Sequence, residues 1–229
     1  MSFLHIFDMD GTLLDSMHLW RDIDHRYLAM HHITYTDEQL DVIKNMTNRE
    51  CADYFIKTFH IDKAPAVMMA EWAAMAKASY EHELQLKPFA ADYLKLIHQR
   101  QDRMIVATSC DVQFASAALK RLHVLHYFER IITTHELGIG KDKSAFFTQC
   151  AKLMNAEPNM CIVYDDLNTA ICSAAAAGMQ TIGVYDASSH DDQHLLKENA
   201  ARLIKSFKEL LFMPNAPFHI GTKIDCKGT

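Results

Sequence analysis

The chain has 229 residues, of which 49% are hydrophobic and 23% are charged, a composition that is ordinary for a globular protein. This length suits one core domain with a modest insertion, or two small domains. A formal net charge of −6 excludes a basic footprint for nucleic acid or an anionic membrane, so we expect neither as a partner. No apolar run approaches membrane-spanning length, and the six cysteines form no CxxC pair, which predicts a cytoplasmic protein with reduced thiols.

A short buried strand opens the chain and ends at two carboxylates. Residues 3–7 read Phe-Leu-His-Ile-Phe, and Asp8 and Asp10 follow where the chain turns at Gly11. Like charges this close are costly unless a cation joins them or one carries a proton. The turn therefore predicts a metal-assisted nucleophile beside a proton carrier, although an Asp-Gly turn alone is common in loops.

Residues 16–85 are predicted to form an all-helical unit inserted after this strand. Apolar spacing and N-capping patterns predict helices over residues 17–30, 36–44, 47–59 and 64–83. The third of these begins at the capping-box pattern Thr-Asn-Arg-Glu of residues 47–50. Within this unit we expect Trp20 and Tyr27 to pack against other helices.

From residue 87 onward, predicted helices and strands alternate. The helices cover residues 90–101, 112–122, 144–154 and 167–177, and the strands cover 104–108, 130–133, 161–164 and 180–185. This alternation predicts an α/β fold, a doubly wound parallel sheet with helices on both faces. Such sheets bind ligands at the carboxyl ends of their strands. Four residues lie at these strand ends and one lies in a loop beyond a strand, and we expect them to converge on one crevice: Asp8, Thr108, Asp165, Asp166 and Lys141.

Four segments, in this order, are similar to the sequence motifs of the haloacid dehalogenase (HAD) superfamily. They read Phe-Asp-Met-Asp-Gly-Thr-Leu-Leu-Asp-Ser at residues 7–16, Arg-Met-Ile-Val-Ala-Thr-Ser at 103–109, Gly-Ile-Gly-Lys-Asp at 138–142 and Cys-Ile-Val-Tyr-Asp-Asp at 161–166. The helical insertion resembles the small cap of subfamily I, the group that includes phosphoglycolate phosphatases and β-phosphoglucomutases. The resemblance implies a HAD-like Rossmannoid core and a helical cap. We assign residues 1–15 and 86–211 to the core, 16–85 to the cap and 212–229 to a C-terminal tail without periodicity.

The resemblance also implies which residues are catalytic. Asp8 is the nucleophile that forms an aspartyl phosphate, and Asp10 is the general acid and base. Thr108 and Ser109 bind the transferring phosphoryl group. Lys141 supplies a fixed positive charge to the same group.

A Mg²⁺ site follows from the same resemblance. Asp8, Asp165 and Asp166 are its carboxylate ligands, and Asp10 contributes a ligand through its main-chain carbonyl. Hard oxygen donors of this kind suit Mg²⁺, which allows an anionic nucleophile to approach an anionic phosphate. Taken alone, the Asp165-Asp166 pair is also explained as an N-cap of the next helix.

Two basic residues have a competing interpretation. Lys143 competes with Lys141 for the site, but an ungapped alignment with the family's Gly-Lys-x-x-Pro-Asp-x-Phe/Tyr pattern favours Lys141. Arg49 lies in a cap loop whose equivalent faces the active site in related enzymes, so it is a candidate for binding a second anionic group of the substrate. An arginine of a capping box that points into water is the alternative.

The leading hypothesis is a Mg²⁺-dependent phosphatase that hydrolyses a small phosphorylated metabolite, acting as a monomer or weak dimer. The alternative is a sugar phosphomutase of the β-phosphoglucomutase type. Those mutases carry a His five residues past the conserved Asp after the first turn, where this chain has Trp20, and His18 is out of register. A catalytically inactive binding protein and a dehalogenase are disfavoured, because neither needs the full set of motif residues.

Overall fold

A computed structural model of the protein describes residues 2–188 and 193–212, apart from the side chains of residues 44 and 45. The predicted tail therefore lies outside the described residues, except for its first residue. The chain divides into two compact units. One comprises Met1–Met17 and Leu84–Thr229, and the other comprises His18–Glu83; we call them the core unit and the helical unit.

Among the residues that the structure describes, eight strands lie in the core unit. In chain order they are β1 (Leu4–Phe7), β2 (Leu14–Asp15), β3 (Gln85–Leu86), β4 (Arg103–Thr108), β5 (Arg130–Thr133), β6 (Cys161–Asp165), β7 (Gln180–Val184) and β8 (Arg202–Ile204). Six of them form one parallel sheet in the order β5-β4-β1-β6-β7-β8. From β1 the chain builds one side of the sheet and then crosses to build the other. The strand order thus reverses at β1, and a crevice is expected outside its carboxyl end.

Eleven α-helices are found among the described residues. The helical unit contains α1 (Leu19–Met30), α2 (Asp37–Asp41), α3 (Asn48–Phe59) and α4 (Pro65–His82). The core unit contains α5 (Ala90–Gln99), α6 (Val112–Arg121), α7 (Thr134–Leu137), α8 (Ser144–Leu153), α9 (Asn168–Ala176), α10 (Gln193–Asn199) and α11 (Lys208–Leu211). None of these helices combines the length and the apolar character needed to span a bilayer. The predicted α/β class with a parallel sheet is confirmed.

Strand β1 is covered on both faces, and all four of its residues, Leu-His-Ile-Phe, are buried. Leu4 and Ile6 belong to a buried cluster that also contains Phe146 of α8. Successive side chains of a strand alternate between faces, and Phe7 stacks on Tyr164 with ring centroids 4.2 Å apart. This packing fixes β1, and the acidic turn begins directly after that strand.

The helical unit has its own core. Trp72 of α4 packs edge-on against Phe55 of α3 and Tyr27 of α1, with centroid distances of 5.2 and 5.7 Å. Tyr27 is buried, as predicted. The prediction for Trp20 is wrong, because 51% of this residue is exposed. Trp20 lies in the first turn of α1, three and seven residues before the buried Ile23 and Tyr27, so helical spacing places it on the buried face although half of it is exposed.

Short strands were missed by the sequence analysis. Strands β2 and β3 form an antiparallel two-stranded ribbon in which Leu14 pairs with Leu86, and β8 adds three residues to the edge of the sheet. Elements of two or three residues are too short to show the alternation from which a strand is predicted. The ribbon lies where the chain leaves the core unit and where it returns.

Candidate active site

The acidic turn continues directly from the sheet. The Asp8 N–H donates to the Tyr164 carbonyl at 2.9 Å, which extends the pairing of β1 with β6 by one residue. Beyond it, Gly11 has a φ of +78°, and a Cβ on this residue would lie 2.5 Å from Asp166 Oδ2. Both the left-handed backbone and the close approach of a carboxylate require glycine here.

Lys141 joins two carboxylates at the carboxyl ends of β1 and β6. Its Nζ donates to Asp8 Oδ1 at 2.5 Å and to Asp165 Oδ2 at 2.8 Å, and all three side chains are buried. Burial by itself would lower the pKa of Lys141, but the charges of Asp165 and Asp8 outweigh burial and raise that pKa. The lysine is therefore a fixed ammonium ion. Lys143 is 69% exposed and pairs with Asp142 instead, so the structure brings Lys141 to Asp8 and does not bring Lys143 there.

Three buried carboxylates form a group suited to a cation. Asp8, Asp165 and Asp166 each offer an oxygen, and these oxygens lie within 4.8 Å of one another. Burial raises the pKa of Asp165 and of Asp166, and the neighbouring charge of Asp8 raises both further. One lysine does not neutralise three carboxylates, so the group favours a bound cation. The oxygen-only donor set fits Mg²⁺.

Two side-chain hydrogen bonds within this region were not predicted. The Thr12 hydroxyl donates to Asp166 Oδ1 at 3.4 Å, and the Ser16 hydroxyl donates to Asp10 Oδ1 at 2.7 Å. Both hydroxyls lie in the first motif, but their partners could not be read from it. The Asp10 side chain is only partly buried and is not one of the three carboxylates of the group.

Thr108 and Ser109 lie at the end of β4, the neighbour of β1. Thr108 is buried, and its Oγ1 accepts a hydrogen bond from the Cys110 N–H at 3.0 Å. Ser109 is exposed. The threonine hydroxyl therefore stabilises the loop that follows β4, and its binding to a phosphoryl group stays a prediction.

Arg49 belongs to the helical unit, in the first turn of α3. Its Nε donates to Asp53 Oδ2 at 3.1 Å, and 63% of its side chain is exposed. The predicted capping box is present, with Thr47 and Glu50 bonded reciprocally. A role for Arg49 in binding substrate stays a prediction.

The sequence is similar to a known family and to named enzymes. The sequence model described as haloacid dehalogenase-like hydrolase matches residues 5–184. Fructose-1-phosphate phosphatase YqaB of Escherichia coli is 27% identical over 179 residues, covering 78% of this chain and 94% of the relative. Validoxylamine A 7'-phosphate phosphatase of Streptomyces hygroscopicus subsp. limoneus is 28% identical over 212 residues, covering 90% and 94%. The phosphorylated carbohydrates phosphatase of Thermotoga maritima is 23% identical over 200 residues, covering 87% and 93%.

Solved structures share the fold. A Thermotoga maritima protein described as a candidate β-phosphoglucomutase superimposes with a TM-score of 0.84 at 22% identity, covering 94% of this chain and all of that chain. The HAD hydrolase YfnB of Bacillus subtilis, solved with bound magnesium, gives a TM-score of 0.76 at 16% identity, covering 94% of this chain and all of that one. At these identities the likeness concerns the fold.

Proposed function

The chain belongs to the haloacid dehalogenase-like hydrolase family, and we propose that it is a Mg²⁺-dependent phosphatase that hydrolyses phosphomonoesters of small metabolites, with sugar phosphates as the first class to test. The observation that carries this proposal is the contact of Lys141 with Asp8 beside Asp165 and Asp166. Three relatives of the chain are named as phosphatases, two of them of a sugar or carbohydrate phosphate, which supports the choice of substrate.

The proposed nucleophile is the Asp8 carboxylate. It attacks phosphorus while the ester P–O bond breaks, so that the phosphoryl group is transferred to Asp8 and the alcohol leaves. This aspartyl phosphate divides one difficult displacement into two easier ones. Water then attacks its phosphorus, which releases inorganic phosphate and restores the carboxylate. A nucleophile fixed at the end of a buried strand can be held in line with the leaving oxygen, and positioning of this kind dominates phosphoryl transfer.

Asp10 is the proposed proton carrier. It gives a proton to the leaving alkoxide in the first step and takes one from the attacking water in the second. The hydrogen bond from Ser16 supports this role, because it fixes the orientation of the carboxyl group. Partial exposure of Asp10 is consistent with access to both the alcohol and water.

Positive charge offsets the developing negative charge on the phosphoryl oxygens. Lys141 contributes it from within a buried site, where such an interaction is stronger than in water. Thr108, Ser109 and neighbouring main-chain N–H groups are the proposed donors to the remaining oxygens. When bound, Mg²⁺ would be held by Asp8, Asp165, Asp166 and the Asp10 carbonyl, and would supply charge neutralisation between nucleophile and phosphate.

The remaining parts of the proposal concern substrate choice and setting. Arg49 is proposed to bind a second anionic group of the substrate, and residues 16–85 are proposed to act as the cap. We further propose a cytoplasmic enzyme that acts as a monomer or weak dimer on a small phosphorylated metabolite. Five described cysteines are free thiols, which is typical of a reducing compartment.

A panel of sugar and other metabolite phosphates, assayed for released phosphate with and without Mg²⁺, tests this function. We expect Mg²⁺-dependent release that is abolished in Asp8→Asn. A parallel assay for interconversion of glucose 1-phosphate and glucose 6-phosphate tests the mutase alternative, which is disfavoured by Trp20. Isomerisation without release of phosphate, or release unaffected by Asp8→Asn, would overturn the proposal.

A further inference from the structure

A second buried ion pair lies in the core unit, and the proposed chemistry does not use it. Lys87 Nζ is 2.8 Å from Asp186 Oδ2 and also donates to the Tyr185 carbonyl at 2.8 Å, with both charged side chains largely buried. Asp186 Oδ1 accepts two further bonds, from the Ser188 N–H at 2.9 Å and the Ser188 hydroxyl at 2.6 Å. Burial alone would raise the pKa of Asp186, but the bonds from Lys87 and Ser188 hold it below its ordinary value. The pair is therefore charged and well bonded.

The main chain of Lys87 contacts the acidic turn. Its N–H donates to the Leu13 carbonyl at 2.8 Å. The N–H groups of Leu13 and Leu14 in turn donate to the Met9 carbonyl at 2.9 and 2.8 Å, and the Gly11 N–H donates to the Leu14 carbonyl at 3.1 Å. These bonds close the turn in which Asp10 stands. Lys87 thus binds the turn through its main chain and the end of β7 through its side chain.

We infer that Lys87 and Asp186 form a positioning pair for proton transfer by Asp10. The ion pair fixes Lys87 against the end of β7, and this fixes the carbonyl of Leu13 and the turn that precedes it. Without the pair, residue 87 is free to shift, and the turn shifts with it. Displacement of a catalytic group by about 1 Å can reduce a rate roughly hundredfold. The inference rests on the proposed function, since it assigns the pair to the acid and base of that reaction.

Hydrogen exchange provides a test that does not depend on activity. In Lys87→Met and in Asp186→Asn, we expect faster exchange at the amides of Gly11, Leu13 and Leu14 than in the wild type, with exchange in β4 and β6 unchanged. Arg103→Met is the matched control, because Arg103 also binds one carboxylate, Glu129, and one main-chain carbonyl. It lies at the amino end of β4, so its loss should leave the turn protected.

The leaving group provides the second readout. An alkyl phosphate needs protonation by Asp10, whereas p-nitrophenyl phosphate has a leaving group that needs little. We expect Lys87→Met to reduce kcat roughly tenfold or more for the alkyl ester and much less for the nitrophenyl ester. Asp186→Asn should show the same pattern, and the double variant should lose no more than either single one, because residues that act as a unit are not additive.

The outcomes separate this inference from the proposed function. A wild-type protein that releases phosphate from no ester of the metabolite panel overturns the proposed function, while hydrogen exchange, which needs no substrate, still tests the contact of the pair with the turn. If the wild type is active and the two variants lose kcat equally for both esters, the positioning role is overturned and the proposed function stands. Unchanged amide exchange at the turn has the same consequence. If Lys87→Met fails to fold, Asp186→Asn, which keeps the shape of the side chain, decides the question by the same two readouts.

Discussion

Lys141 Nζ lies 2.5 Å from Asp8 Oδ1 in a buried site. A carboxylate in such contact with an ammonium group is held in one orientation at the end of β1. Removing either partner leaves the other as a buried charge without its closest counterpart, which is costly. The proposed nucleophile and its charge stabiliser therefore form one unit, and the predictions below begin with it.

Lys141→Met should reduce kcat roughly 10²–10³-fold, the scale observed when one donor to a developing negative charge is lost. The matched control is Lys143→Met, which removes an exposed lysine two residues away that pairs with Asp142. We expect the control to retain near wild-type kcat and melting temperature. Equal losses in the two variants, measured with one substrate at saturating Mg²⁺, would contradict the role given to Lys141.

Stability without metal should fall as the pH rises. The pKa values of Asp165 and Asp166 are raised by burial and by Asp8. A carboxyl group whose folded pKa lies above its unfolded pKa stabilises the protein at low pH, and this contribution is lost as the pH rises through the folded pKa. The folded pKa values are about 6 for Asp165 and about 8 for Asp166, so we expect the metal-free melting temperature to fall from about pH 4 to about pH 8.

Mg²⁺ should oppose this loss, because it binds the ionised carboxylates. The increase in melting temperature on adding Mg²⁺ should be larger near the upper end of that pH range than near the lower end. Asp166→Asn should weaken both the pH dependence and the effect of Mg²⁺. A Mg²⁺ effect of the same size at both pH values, and unchanged in Asp166→Asn, would argue against a cation at these carboxylates.

Gly11→Ala should impair the site as well as the backbone. The residue has a φ of +78°, and its Cβ would meet Asp166 Oδ2 at 2.5 Å, so the carboxylate must move. Gly138→Ala is the matched control, since Gly138 has a φ of +63° but no atom within 4 Å of an added Cβ. Both variants should lose stability through strain, on the order of 1 kcal/mol. Only Gly11→Ala should weaken Mg²⁺ binding in a calorimetric titration, and equal Mg²⁺ affinities would contradict the geometry.

Arg49→Ala should raise KM for substrates that carry a second anionic group and change KM little for phosphates of small neutral alcohols. The expected loss corresponds to a charge-assisted hydrogen bond of roughly 1.5–3 kcal/mol. Asp53→Asn, which removes the present partner of Arg49, should not raise KM for either class. Identical parameters for both substrate classes in Arg49→Ala would mean that this arginine is a surface residue of α3.

Sequence patterns identified the long elements and the residues that follow them. Asp8, Thr108 and Asp165 stand at strand ends that periodicity could locate, and parallel strands bring their carboxyl ends to one edge. Partners far apart in sequence could not be read in this way. Lys87 follows β3 and Asp186 lies two residues beyond β7, so the two meet only in the folded chain, and no local pattern links them.

Side-chain direction was the other limit. Trp20 shares a face of α1 with the buried Ile23 and Tyr27 but is half exposed in the first turn, so apolar spacing alone did not determine how deeply a residue at the end of a helix is buried. The hydrogen bond from Ser16 to Asp10 could not be predicted either. Ser16 follows β2, and strands of two residues are too short to show the alternation that would predict side-chain direction.

The account depends most directly on covalent transfer to Asp8 with Asp10 as the proton carrier. In Asp10→Asn with p-nitrophenyl phosphate, the first step needs little acid, whereas the second still needs a base to activate water. Rapid mixing should therefore show a burst of nitrophenol close to the enzyme concentration, and acid-quenched samples should carry a phosphoryl group on Asp8 by peptide mass spectrometry. The Asp8→Asn/Asp10→Asn double variant should show neither. Turnover without a burst and without phosphorylated Asp8 in Asp10→Asn would contradict the account.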